Sequence, residues 1–352
     1  MKRRNRDRIN CFALIGEHFV SFSGGGGGPA FFVDITERKG VEIPAGMCYY
    51  IPVCHSGQYI PRLERWREED LNMIHSVLMG IIQGIAEFLP ISSSGHLVLF
   101  ETFFGMKETD SMLFTVLLHF GTLISVCIYY CRDVWEMIRE FFQWIASLIK
   151  RDTKDLGRPT PGRRMIILIV VATLPLFVIV PIKEWMERTF SQSISVSIAL
   201  LVTGCLLYFS DRMAKGHKNV KSATVVDALI VGAAQAVGTI PGISRSGITI
   251  STGLFRGFDR KFAVRFSFLM SLPAVLGANV LEIGEAVAQK VDPGMLPVYL
   301  LGVAVSAAVG YFAIRLVNML SDKGKFGMFA YYCWVVGLGS LIAGLIVPLF
   351  NK

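Results

Sequence analysis

Apolar residues run almost unbroken over about 113–131, 165–182, 194–210, 263–281, 297–317 and 328–349. Each run has about 17–22 residues, the length a helix needs to cross roughly 30 Å of hydrocarbon, so the pattern predicts six transmembrane helices. Two further stretches, about 74–104 and 225–255, are as apolar but are interrupted by PISSSGH and PGISRSG. A backbone broken at membrane depth survives only where protein or a water-filled cavity satisfies its polar groups. These two stretches are therefore expected to be re-entrant helix hairpins. The fold class expected is an all-α integral membrane protein.

The two interrupted stretches are copies of each other. A shift of 152 residues pairs Gly80 with Gly232, Gln83 with Gln235, Ile91 with Ile243, Ser92 with Ser244, Ser94 with Ser246 and Gly95 with Gly247. Each copy is followed by three candidate spans, giving repeats at about 74–210 and 225–349. An odd number of spans per unit inverts the second unit relative to the first, which is the inverted-repeat plan. Loop charges agree. Residues 132–164, 211–222, 256–265 and 318–327 hold 18 Lys and Arg, against four in 105–112, 183–193 and 282–296. The positive-inside rule makes the first set cytoplasmic, so the first hairpin opens outward and the second inward.

Composition fits this picture: of 352 residues 53% are hydrophobic and 18% charged, and the mean hydropathy is +0.52. The net charge of +8 is explained by loop topology, which leaves no call for a nucleic-acid partner. Residues 1–70 differ, with RNRDR, a Gly24–Gly28 run and RLERWREED but no apolar span. They are expected to be a disordered extension or the product of a start set too far upstream, with 71–352 as the membrane domain. The seven Cys show no metal-ligand spacing and are expected to be small buried hydrophobes.

Outside the loops and the first 70 residues, few ionisable groups remain: Arg245, Arg315, Lys352, Glu87, Glu101 and Asp227. Arg315 and Asp227 stand near segment ends, where snorkelling accounts for them, and Glu101 stands near the outer end of its hairpin. Glu87 and Arg245 sit at the centres of the two hairpins, where a charge costs several kcal/mol unless paired or hydrated. Gln83 and Glu87, four apart, share a helix face. Pro90 helps stop that helix, and Ser92, Ser93, Ser94 and Gly95 offer hydroxyls and backbone N–H groups to an anion. With His96, the segment contains a general base and candidate nucleophiles. In the second hairpin, Ser244, Ser246, Gly247 and Thr249 around Arg245 suit phosphate oxygens. A structural Glu87–Arg245 ion pair and a helix break satisfied by its own serines are the plainer alternatives. His119, one His in an apolar helix, is expected to be a packing residue.

QGIAEFLPISSSGH (83–96) and PGISRSGIT (241–249) together resemble the undecaprenyl pyrophosphate phosphatase family, the bacitracin-resistance phosphatases, over about residues 72–352. The resemblance implies six spanning helices with two re-entrant hairpins in inverted repeats. It also implies hydrolysis of undecaprenyl pyrophosphate to undecaprenyl phosphate and phosphate, recycling the lipid carrier of cell-wall synthesis and conferring bacitracin resistance. The site would face the external side of the bacterial plasma (inner) membrane and use a divalent cation, Mg2+ or Ca2+. Glu87 would be the general base, Ser93 or His96 the nucleophile or proton donor, and Arg245 the pyrophosphate ligand. Gln83, Ser92, Ser94, Gly95, Ser244, Ser246 and Thr249 would line the pocket, and Glu87 with Gln83 would meet the metal. Many members carry Glu where this chain has Gln83, so a two-carboxylate metal site is not implied here. Nucleophile and water routes both stay open. A lipid transporter or flippase and a membrane scaffold are the competing functions, and a homodimer is compatible with the pattern.

Overall fold

The computed structural model describes residues 10–15, 18–24, 31–35, 61–104, 112–149, 159–190, 192–213, 216–287 and 293–350. The chain divides into two compact units, Met1–Glu68 and Glu69–Lys352. In the first, β1 (Asn10–Ile15), β2 (His18–Gly24) and β3 (Phe31–Ile35) form an antiparallel meander. Ala13 lies opposite Val20, and Phe22 opposite Val33. These short runs are rich in Phe, Val and Ile, which suit a pleated strand, and are too short to carry a helical period. The all-α class is thus corrected: it describes the second unit, and the first adds a small sheet. Residues 36–60 of the expected extension lie outside the described residues.

The second unit is a multi-pass membrane protein. Among the described residues, five helices are long and apolar enough to cross a bilayer. They are Pro161–Ile182, Ser193–Arg212, Arg260–Val280, Leu296–Asp322 and Met328–Ile346. A sixth candidate joins Leu113–Tyr129 to Cys131–Ser147 across a bend of 86°. The elements are α1 (Pro61–Phe88), α2 (Ser93–Phe104), α3 (Met112–Tyr129), α4 (Cys131–Ile149) and α5 (Pro161–Thr173). Then come α6 (Leu176–Ile179), α7 (Lys183–Phe190), α8 (Ser193–Arg212), α9 (Val225–Val237) and α10 (Arg245–Phe255). The chain ends with α11 (Arg260–Val287), α12 (Leu296–Asp322) and α13 (Met328–Phe350). The apolar helices α9, α10 and α2 are short: the 13 residues of α9 reach only about 20 Å.

The bend before α4 turns a stretch of the predicted cytoplasmic loop into an amphipathic helix. Trp135, Ile138, Phe142, Ile145 and Ile149 form one exposed apolar stripe. Asp133 on the same helix pairs with Arg265 of α11. Arg132, Glu136, Arg139 and Gln143 are exposed along a separate side of the helix, and a helix with one apolar and one charged exposed side suits the membrane interface. Lipid-facing surface also corrects the cysteine expectation. Cys333 is buried, Cys131 and Cys205 are exposed, and Cys48 and Cys54 lie outside the described residues. An apolar side chain has no reason to leave a surface that contacts hydrocarbon.

Small residues hold the helices together where burial from water cannot. Gly302, Ser306 and Gly310, four apart on α12, form a seam. A Cβ on Gly80 would come within 2.9 Å of Gly302 O, and one on Gly84 within 2.9 Å of Ser306 O. From the other side Ser125 of α3 donates to Ala307 O at 2.7 Å, and Ser306 donates to Leu118 O at 3.0 Å. These contacts fix the axial position and rotation of α1, and so the position of Glu87 at its end. A second close approach joins Gly232 of α9 to Ala172 of α5, where an added Cβ would fall 2.2 Å from Ala172 O.

The N-terminus of α9 is fastened by a fully buried carboxylate. Thr224 and Asp227 form a reciprocal capping box, and Asp227 also accepts from Lys218 and Arg256, both at 2.8 Å. Arg256 follows α10, so Asp227 ties the two arms of this segment together; it is not a snorkelling surface group. Asp227→Ala should lower stability by about 1–2 kcal/mol, since the cap is lost while the partly exposed cations are screened by solvent. Thermal unfolding in detergent checks this, and an unchanged midpoint would refute it.

Candidate active site

α1 ends where Leu89 and Pro90 enter a turn, and α2 starts at Ser93. Ser92 makes that turn with φ 68°, an uncommon conformation for a residue with a side chain. Its Oγ accepts from Gly95 N at 3.2 Å, capping α2. The second break has the same construction. Ser244 precedes α10 and its Oγ accepts from Gly247 N at 3.1 Å, while Gly242 takes the positive φ, 91°. The two turns pack on each other. A Cβ on Gly95 would lie 2.9 Å from Gly242 Cα, and one on Gly247 would lie 3.3 Å from Pro90 Cβ. Glycine is needed at both contacts because backbone meets backbone or ring there.

Glu87 stands at this junction with its side chain 6% exposed. One carboxylate oxygen pairs with Arg245 at the start of α10. The other accepts from Gln83 Nε2 at 3.1 Å and from Ser93 Oγ at 3.3 Å. His119 of α3 brings Nε2 to 3.9 Å from the same oxygen. The residues expected at the centres of the two hairpins thus meet, and Gln83 and Ser93 join them. Glu87, Arg245, Ser246, Ser267, Phe268 and Ser271 line a cavity with room for about one water molecule.

The other expected site residues form a supporting frame. Ser244 Oγ and Ser246 Oγ are 3.2 Å apart, and Ser246 reaches Leu89 O at 3.5 Å. Thr249 donates to Arg245 O at 2.8 Å and contacts Ser267 Oγ at 2.6 Å. Ser94 is exposed, its Oγ 3.5 Å from that of Ser92. His96 is engaged elsewhere: Nδ1 lies 2.8 Å from Ser92 O, and Nε2 lies 2.7 Å from Tyr332 OH on α13. The imidazole near the carboxylate is that of His119, which the sequence placed among packing residues. Its Nδ1 is held by Thr115 O at 2.9 Å, so the ring is anchored with Nε2 toward Glu87. Glu101's side chain lies outside the described residues.

The arrangement has a defined chemical capacity. A buried carboxylate in contact with a serine hydroxyl can accept its proton. A guanidinium and two capped helix N-termini beside it can bind and neutralise an anion. Among the described residues, no three His, Cys, Asp or Glu side chains group as a metal cage. Glu87 supplies one carboxylate, and Gln83 a neutral amide whose oxygen and nitrogen can exchange places.

The family described as Bacitracin resistance protein BacA matches residues 76–339. A Halothermothrix orenii protein named undecaprenyl-diphosphatase is 41% identical over 267 residues, covering 76% of this chain and 96% of its own. A Carboxydothermus hydrogenoformans protein of that name is 37% identical over 276 residues, 77% of this chain and 97% of its own. One from Methanosphaera stadtmanae is 36% identical over 281 residues, 79% of this chain and 100% of its own. The matched region contains both broken turns and the Glu87–Arg245 pair at their junction, and the chain belongs to the BacA family of bacitracin resistance proteins.

Proposed function

We propose that this protein hydrolyses undecaprenyl pyrophosphate to undecaprenyl phosphate and inorganic phosphate in the bacterial plasma membrane, at a site open to the external side. The observation that carries this is the Glu87 carboxylate held between Arg245 and the Ser93 hydroxyl at membrane depth. The names of the relatives support the same substrate and reaction. A transporter needs the anion site but has no use for a serine hydroxyl on a carboxylate, so the flippase reading is not favoured.

The fold that serves this is read as six spans and two re-entrant hairpins in an inverted repeat. Under the 152-residue shift Pro90 corresponds to Gly242 and Gly95 to Gly247. The contacts Gly95–Gly242 and Gly247–Pro90 are therefore one contact repeated about a pseudo-twofold axis. α1 packs on α12 and α9 on α5, again the same pairing with repeats exchanged.

In the reaction, the entering pyrophosphate draws Arg245 from Glu87 onto its oxygens. Glu87 takes the Ser93 proton as Oγ bonds to the terminal phosphorus and the bridging P–O bond breaks, releasing undecaprenyl phosphate. Glu87 passes that proton to the departing undecaprenyl phosphate, then deprotonates a water that attacks the phosphoserine, and the proton so taken goes to Ser93 Oγ as inorganic phosphate leaves. Positioning and charge neutralisation supply most of the acceleration. Glu87 and Gln83 fit a cation that arrives on the pyrophosphate, one carboxylate with phosphate oxygens and water being a common Mg2+ arrangement. When bound, that ion neutralises phosphate charge.

Purified protein in detergent, where transport has no meaning, should release phosphate from undecaprenyl pyrophosphate in step with undecaprenyl phosphate, and chelator should reduce the rate. No phosphate release in the presence of Mg2+ or Ca2+ would overturn the assignment.

A further inference from the structure

The 152-residue correspondence continues past the hairpins into α3 and α11. It pairs Phe114 with Phe266, Thr115 with Ser267, Leu117 with Leu269 and His119 with Ser271. Each helix thus carries two polar residues one turn apart at the same two places, whereas the further polar residues of α3, Thr122 and Ser125, fall on Ala274 and Gly277. Polar groups at this depth are costly without a use. Both pairs meet at the site: Ser267 and Ser271 line the cavity with Glu87 and Arg245, and His119 Nε2 stands 3.9 Å from Glu87.

Within each pair one residue braces and the other is presented. The backbone carbonyl of Thr115 anchors His119 Nδ1 at 2.9 Å, and the side chain of Ser267 is joined through Oγ to Thr249 Oγ1 at 2.6 Å. His119 Nε2 is too far from Glu87 for a hydrogen bond, and its side chain is 33% exposed, so an entering oxygen can reach it. Ser271 spends its hydrogen on Phe268 O at 2.8 Å, within its own helix, and a rotation about Cβ–Oγ redirects it.

We infer that His119 and Ser271 are phosphate ligands, one for each phosphoryl group of a diphosphate lying across the pseudo-twofold axis. A diphosphate has two similar phosphoryl groups about a bridging oxygen, and the site has two similar halves. One half holds Ser93, Glu87 and His119, the other Arg245, Ser246 and Ser271. Ser93 and Arg245 occupy the same place in the repeat, so the halves match in shape and differ in chemistry. The nucleophile half takes the phosphoryl group that is transferred; the cation half takes the phosphate that leaves. This rests on the pyrophosphate reading above and names ligands within it.

The test uses methylenediphosphonate, a diphosphate that cannot be hydrolysed at its bridge, as a competitive inhibitor of phosphate release by the purified protein. His119→Leu and Ser271→Ala should each raise its inhibition constant about tenfold, the loss of one hydrogen bond to a charged group. The KM for undecaprenyl pyrophosphate should rise with it. His119→Gln, which keeps a side-chain donor, should stay within about threefold of wild type, while all three variants unfold at the wild-type temperature. Unchanged inhibition constants in His119→Leu and Ser271→Ala, or a His119→Gln variant as weak as His119→Leu, would overturn the inference. Protection of wild type from thermal unfolding by the diphosphonate reads binding alone. A protein that binds it and releases no phosphate fails as a hydrolase, not as a diphosphate site.

Discussion

Arg245→Met in the purified protein should abolish phosphate release and lower the thermal midpoint, and adding Glu87→Gln should restore the midpoint without restoring turnover. The two effects have different origins. Glu87 is buried, with its side chain 6% exposed, and among the described residues Arg245 is the one Lys or Arg paired with it. Removing the guanidinium leaves a charge uncompensated at membrane depth, at a cost of about 3–5 kcal/mol. A neutral amide facing a thioether removes that cost, because buried ion pairs roughly break even against neutral replacements. Catalysis has no such compensation. The guanidinium neutralises charge on the phosphoryl groups, and losing a group of this kind costs on the order of a thousandfold or more in rate. Phosphate release and thermal unfolding measured in one detergent decide it. Turnover regained in the double variant would make the pair a structural brace and move the chemistry elsewhere. A double variant as unstable as Arg245→Met would mean the pairing is not what the fold lacks.

That pair was legible because charge at membrane depth is so rare that two such residues identify themselves. The turns were legible because Pro, Gly and Ser cannot continue an apolar helix, and because the second turn repeats the first. His119 was not legible by those rules. One His among apolar residues has the same local signature whether it packs or binds. Its signal lay in comparison: Thr115 and His119 fall on Ser267 and Ser271 under the shift that relates the turns. His96 shows the opposite limit. It lies three residues from Ser93, yet helical geometry carries its ring to Tyr332 on α13 and away from the carboxylate. Spacing along the chain gives a residue's neighbourhood, and rotation about the helix axis decides its neighbours.

α4 was hidden for a different reason. Charge places residues 132–164 among the cytoplasmic loops, which says on which side a segment lies but nothing of its shape. The stripe of Trp135, Ile138, Phe142, Ile145 and Ile149 carries the helical period, and at an interface the apolar face turns outward. The strands of residues 10–35 show the same blindness toward short elements whose pairing is set by contacts beyond the local sequence.

Ser93→Ala should reduce phosphate release to a small residue of the wild-type rate, and rapid acid quench of wild type with substrate labelled in the terminal phosphate should trap label on Ser93. Two features of the geometry lead to this outcome over direct attack by water. Ser93 Oγ already contacts the Glu87 carboxylate at 3.3 Å, slightly long, as nucleophile–base contacts often are before substrate binds. The hydroxyl also stands in the first turn of α2, so a phosphoryl group bonded to it rests on that helix N-terminus, where anions are stabilised. Loss of the nucleophile removes the covalent path and leaves only what Arg245 and the helix N-termini do for attack by water, a residue of activity seen in other nucleophile deletions. Ser92→Ala separates this from damage to the turn. It removes the α2 cap and costs about 1 kcal/mol of stability, yet retains a phosphorylatable Ser93 and measurable turnover. Ser93→Ala turning over at near the wild-type rate, with no label trapped on wild type, would assign the attack to water and reduce Ser93 to a hydrogen-bond donor that orients Glu87.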